Sequence, residues 1–270
     1  MNCGVSTACL YPMETEKSLS TLISLNFRLF EIFFNTYREI QPEYIKSLKK
    51  ILQEHNCSVK SVHPFTSGFE SMLLFSNYRR RYLDGLEFYK HYFEAAQLLG
   101  AKILVLHGQR DYANSSITEE EYFNRYGELY ELGKESGITV AQENVNAFRS
   151  EDPRFITRMR SYTNDRCSFV FDIKQAVRAG VDPFDMCAAM GERIIHVHVN
   201  DNNDTADCLL PGEGTMDYPK LMQQLAQYHY NDDFIIEVYR KNFERFEQFS
   251  HAKQVIEALI TTKYSFSHRN

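Results

Sequence analysis

An alternation that runs the length of the chain constrains its fold more than any other feature. A short apolar run is followed by a longer amphipathic segment, about eight times. The apolar runs fall near residues 2–9, 26–33, 57–63, 102–107, 138–143, 167–172, 193–199 and 233–239. Helical periodicity follows, as in Pro42–Glu54, Tyr82–Leu99, Glu119–Ser136, Tyr218–His229 and Glu244–Thr261. The stretch Gln175–Met190 reads as a broken helix, because Gly180 and Pro183 interrupt it. Strands that alternate with helices predict parallel βαβ units. Eight such units in a chain of this length predict a closed (β/α)8 TIM barrel, one α/β domain over residues 1–270. An open doubly wound sheet is the weaker fit, since no Gly-rich phosphate loop follows the first strand.

A barrel makes a further demand. Alternate side chains of each strand point inward, and functional groups gather at the C-terminal strand ends. In Ile194–Val199 this parity sends His196 and His198 inward and places Ile195, Val197 and Val199 on the helix side. Asp172 ends Phe169–Asp172 pointing inward, as do Glu143 two residues after Ala141 and Glu237 two after Ile235. His63 and His107 end their runs in the same way. Six ionisable or polar residues thus close six apolar strands, a pattern that packing alone does not require.

The composition bounds what such a mouth can serve. With 43% hydrophobic and 24% charged residues, the chain is globular rather than disordered. Its net charge of −6 disfavours a long nucleic-acid partner. The basic run Arg79–Arg81 reads as a solvated helix start, and Arg240 and Lys241 as surface charge. Six cysteines lack zinc-finger or disulfide-scaffold spacing, which points to a reducing cytoplasm. No secretory signal pattern opens the chain, and no run is long and apolar enough to span a bilayer.

Three carboxylates meeting in one buried mouth repel unless a cation joins them. No Arg or Lys ends a neighbouring strand to pair with Glu143, Asp172 and Glu237, so the expected cation is a metal ion held by those three and His198. Three oxygens and one imidazole favour Mn2+, Mg2+ or Co2+ over a thiolate-type zinc site, with Zn2+ left open. His196 lies one interior layer deeper and reads as structural. Glu31, after Phe27–Phe30, reads either as part of the site or as an exposed loop residue.

The ordered motifs Gln142-Glu143-Asn144, Phe171–Gln175, His196–Asp201, Leu210–Gly214 and Ile236-Glu237-Val238 resemble the sugar phosphate isomerase/epimerase superfamily of xylose isomerase-like barrels. The resemblance spans nearly the whole chain and implies a metal ligand set of Glu143, Asp172, His198 and Glu237. It implies isomerisation or epimerisation of a small sugar, sugar phosphate or polyol through an enediolate, with Glu143 and Glu237 as general acid and base. His63, His107, Gln175 and Glu213 are the expected contacts to a carbohydrate substrate. The superfamily also holds dehydratases of inosose- or dehydroshikimate-like compounds, so a lyase is the alternative, and a non-catalytic sugar-binding barrel a further one. An apurinic-endonuclease-like phosphodiesterase is the least favoured. Gln175 stands where many relatives carry histidine, and Asp201–Leu210 contains no histidine to complete a trinuclear zinc site. Substrate choice is expected to lie in the loops 64–78, 109–117 and 202–216. The oligomeric state stays open, a homo-oligomer included.

Overall fold

Each apolar run becomes a short parallel strand. In chain order these are β1 (Cys3–Ser6), β2 (Leu29–Phe33), β3 (Ser58–His63), β4 (Ile103–Leu106), β5 (Thr139–Glu143), β6 (Phe169–Asp172) and β7 (Ile194–Val199). A hairpin of β8 (Asp201–Asn203) and β9 (Ala206–Leu209) follows, and then β10 (Phe234–Ile236). The computed structural model describes residues 1–110, 117–164 and 166–267, with side chains to residue 261. Within them β1–β7 and β10 close a parallel barrel in which β1 pairs with both β2 and β10. The predicted TIM barrel is the fold of this chain.

The helices form where the sequence supplies caps and an apolar stripe. In α2 (Pro42–Glu54), proline takes the first turn and Ile45, Leu48 and Leu52 line the buried face. In α4 (Glu119–Glu135), Thr118 accepts from the Glu121 backbone N–H, three glutamates fill the first turn and Lys134 lies in the last. The 175–190 segment does break, into α6 (Ile173–Arg178) and α7 (Pro183–Met190). Gly180 at φ +70° and Pro183 mark the join. The outer layer is completed by α1 (Thr15–Ser24), α3 (Arg79–Leu99), α5 (Pro153–Thr163), α8 (Tyr218–Gln227) and α9 (Gln248–Ser267). The last helix starts later than its periodicity predicts, because the Gln248 side chain accepts from the backbone N–H groups of Glu244 and Arg245.

Barrel and helices meet in the main core, to which Leu104, Leu106, Phe169, Phe171, Val197 and Val199 contribute. Inside the barrel a second, small apolar layer holds Ile103, Val105, Ala141 and Val170, with Ile195 packed against it. Strand parity placed Ile195 on the helix side, and the structure corrects this. The β6–β7 register runs from Phe169↔Ile194 to Val170↔His196, an irregularity that gives β7 one extra residue and turns Ile195 inward. Two strand positions beyond this layer, towards the C-terminal mouth, stand Glu143, Asp172 and His107.

Candidate metal centre and active site

Glu143, Asp172 and His198 are 1% exposed or less, and Glu237, one residue past β10, is 9% exposed. His198 Nδ1 is the meeting point. It lies 3.2 Å from Glu143 Oε1, 3.4 Å from Asp172 Oδ2 and 3.1 Å from Glu237 Oε2. All four donor atoms lie within 4.8 Å of one another. Neighbouring ligands of a cation with bonds of about 2.1 Å stand about 3 Å apart, so these residues fit a divalent ion. His63 and His107 form a second donor set that shares Glu143.

The layer beneath fixes this geometry. Glu31, left between two readings by sequence, is fully buried and points into the barrel. Its Oε2 lies 3.1 Å from His198 Nε2 and 3.1 Å from His196 Nε2, and accepts from Ser61 Oγ at 2.8 Å. A carboxylate on Nε2 keeps a proton there, so Nδ1 is the nitrogen that would ligate an ion. His196 is fully buried in this lower layer, with Ser61 Oγ 3.1 Å from its Nε2. Asn144 braces Asp172 from both sides: its Nδ2 donates to the Asp172 carbonyl at 2.9 Å and its Oδ1 accepts from the Asp172 N–H at 2.8 Å. Asn200 Nδ2 reaches Asp172 Oδ1 at 3.2 Å. These bracing roles are not visible in strand parity, because they depend on which neighbouring strand each amide meets.

One cation was missed. Lys174 is 2% exposed, and its ammonium donates to Asp172 Oδ2 and Glu237 Oε2. Strand parity points only to residues at strand ends, whereas Lys174 sits in the first turn of α6. That helix leaves β6 without a loop, and Asp172 Oδ1 caps it by accepting from the Gln175 N–H at 3.2 Å. The lysine therefore folds back over the barrel mouth.

The charges follow from these contacts. Burial works against an ionised Glu143, but His107, His198 and His63 outweigh it and hold the carboxyl well below the usual range. Glu237 is likewise held low against burial, by Lys174 and His198. Asp172 goes the other way: burial raises it, and the charges of Glu143 and Glu237 reinforce the rise. Burial opposes the charges of Lys174 and His198, yet the surrounding carboxylates keep both well above their ordinary values. His63 Nε2 meets His107 Nε2 at 3.0 Å, and Nδ1 of His63 lies 3.3 Å from the Pro64 carbonyl. Glu143 raises His63 despite burial, whereas burial lowers His107. His107 Nε2 also lies 3.0 Å from Glu143 Oε2, so both rings bear on that carboxylate.

A cavity of about 420 Å3 opens over this floor. His63, His107, Glu143, Lys174 and Glu237 line it below, and Tyr11, Phe33, Phe65 and Tyr239 wall it. Gln175 reaches the cavity as expected, although its Oε1 already accepts from the Asn146 N–H at 3.2 Å. Glu213 does not. It is exposed and accepts from Gln248 Nε2 at 2.8 Å, outside the cavity lining. Asp201 pins its loop by accepting from Gly212 N and Met216 N, both at 2.9 Å, and so directs Glu213 towards α9. Of the expected specificity loops, residues 111–116 lie outside the described residues. A larger depression of about 560 Å3 lies on the outer face against α3, α4 and α5, among side chains such as Leu86, Phe123 and Glu128.

The xylose isomerase-like TIM barrel family matches residues 19–261. The chain belongs to this family. Among curated relatives, an uncharacterized protein of Methanocaldococcus jannaschii is 25% identical over 253 residues, covering 90% of this chain and 84% of its own. An inosose dehydratase of Clostridium botulinum is 22% identical over 255 residues, covering 82% and 81%. The fold is shared with solved structures. A D-tagatose 3-epimerase-like protein superposes with a TM-score of 0.79 at 22% identity, over 99% of this chain and all (100%) of that one. The IOLI protein, solved with a bound zinc atom, gives 0.73 at 16% identity over 97% of each chain. Among the described residues, no helix is long and apolar enough to cross a membrane.

Proposed function

We propose that this family member is a divalent-metal-dependent isomerase or epimerase of a small sugar, sugar phosphate or related polyol, acting through an enediolate. The observation that carries this reading is the convergence of three carboxylate oxygens on His198 Nδ1 beneath an open cavity. Sugar epimerases among the structural neighbours support it, and the zinc-bound IOLI structure supports a metal. We take residues 1–270 as one barrel domain working in a reducing cytoplasm, in line with six free cysteines.

Glu143, Asp172, His198 and Glu237 would hold the ion, with Mn2+ the best match to three oxygens and one nitrogen. A divalent ion there supplies Lewis-acid polarisation of the substrate's oxygens. The protein does the rest. Glu143, kept ionised by three histidines, takes a proton from carbon, and Glu237 serves the opposite face of the substrate. The substrate's hand decides which glutamate removes the proton and which returns it. His63 and His107 face the substrate's hydroxyls, and Phe33, Phe65 and Tyr11 cover the apolar face of the ring and exclude water.

Ketose-dependent exchange of a carbon-bound proton in heavy water tests this reading. Glu143→Gln is expected to slow exchange by at least about 10²-fold while the circular dichroism stays unchanged. Exchange at the wild-type rate by that variant would remove Glu143 from the mechanism. The dehydratase relative supports a second reading, in which the same proton abstraction expels a β-hydroxyl. Growth of a conjugated absorbance in place of proton exchange would identify it.

A further inference from the structure

The metal-dependent reading leaves one buried charge unassigned. Lys174 Nζ donates to Asp172 Oδ2 and Glu237 Oε2, two of the three oxygens gathered around His198 Nδ1. A divalent ion bonded to those oxygens and an ammonium touching the same oxygens would be like charges in contact in a buried site, so the two exclude one another. The ammonium has somewhere else to go. It already lies 5.6 Å from the centroid of the Tyr239 ring, which lines the open cavity and also meets Arg178 at 5.5 Å and Lys241 at 6.0 Å. A short rotation about the lysine stem would trade the carboxylates for solvent in that cavity, beside the Tyr239 ring.

We propose that Lys174 is a built-in competitor for the metal. Its ammonium holds Asp172 and Glu237 together in the metal-free protein and swings out towards Tyr239 when a divalent ion enters. This rests on the metal-dependent reading above. Two consequences follow. The metal-free barrel mouth does not fall apart by carboxylate repulsion, because one cation is always present. The apparent metal affinity is reduced by the fraction of molecules in which the lysine occupies the site, so loading is graded and reversible.

Two measurements on the chelated protein test this. The first is calorimetric titration with Mn2+ of the wild type and of Lys174→Met, which keeps the stem and removes the charge. The variant is expected to bind at least about tenfold more tightly. The second uses the wild type alone, so it does not depend on the variant folding. Reductive methylation of Lys174, read by mass spectrometry, is expected to run at least about tenfold faster with saturating Mn2+, as the amine leaves its buried pairing. Uptake of Mn2+ by both proteins with equal affinity and unchanged labelling would overturn the competition and leave the metal reading standing. Tighter binding by the wild type would show that the lysine supports the ion rather than opposing it, and overturns the proposal. Failure of both proteins to take up Mn2+ would remove the metal reading and the competition together.

Discussion

Glu70 shows what a single buried residue can do to this barrel. It is fully buried just after the 3-10 turn Phe65–Phe69, where Oε1 accepts from Tyr89 Oη at 2.7 Å and Oε2 from the Gly108 N–H. Burial pushes its carboxyl from 4.5 up to about 8, although both hydrogen bonds pull the other way. Between those values the folded protein holds a proton that the unfolded chain has released. Stability therefore falls as pH rises through that window, by at most about 1.4 kcal/mol per pH unit from this group. Glu70→Gln can keep both partners, with its carbonyl on Gly108 and its amide on Tyr89. Urea unfolding at several pH values should show a flatter profile for the variant. Parallel profiles would mean that Glu70 stays ionised in the fold. Glu31 is a related case: sequence places it after the run Phe27–Phe30, but only the meeting of β2, β3 and β7 gives its carboxylate two imidazoles and a hydroxyl to receive.

At the scale of elements, the loop leaving β4 is the most constrained. Gly108 has φ +90°, and a Cβ there would strike the Tyr122 hydroxyl. Tyr122 is itself fixed by stacking on Phe75, ring centroids 4.2 Å apart, and by donating to Gln142 Oε1. Gln142 Nε2 in turn holds the His107 carbonyl at 2.9 Å. Gly108→Ala is thus expected to cost about 2–4 kcal/mol and to shift His107 within the cavity. Chemical denaturation checks the first effect. A rise in KM larger than the change in kcat checks the second, and unaltered stability would contradict the collision. The same scale explains why helices and strands were legible in sequence while Lys174 was not. Period and caps identify elements, but the absence of any loop between β6 and α6 is what carries a helix residue over the mouth.

The whole molecule depends on closure. The first strand completes the barrel through Cys3↔Phe234, Gly4↔Ile235 and Val5↔Ile236, and Asn2 ties its backbone N–H and side-chain amide to Asp233 Oδ1 at 2.7 and 2.8 Å. Removing residues 1–6 would expose two unpaired strand edges and free Glu237, which follows β10 directly. Such a truncated chain is expected to lose its single cooperative melting transition in calorimetry. A transition of wild-type sharpness would show that the barrel tolerates an open seam.

The sequence by itself determined the barrel and the inward-facing Glu143, Asp172, His198 and Glu237. Those follow from local rules: the period of two in a strand, the longer period of a helix, and the ends of apolar runs. Tertiary structure decided the rest. It turned Ile195 inward at an irregularity between β6 and β7, sent Glu213 to the surface with its loop, and set Glu31 beneath His198. It also brought Lys174 onto two of the expected metal-ligating oxygens. Each of these depends on a contact between residues far apart in the chain, or on the angle at which one element leaves another, and neither is encoded in a run of neighbouring residues.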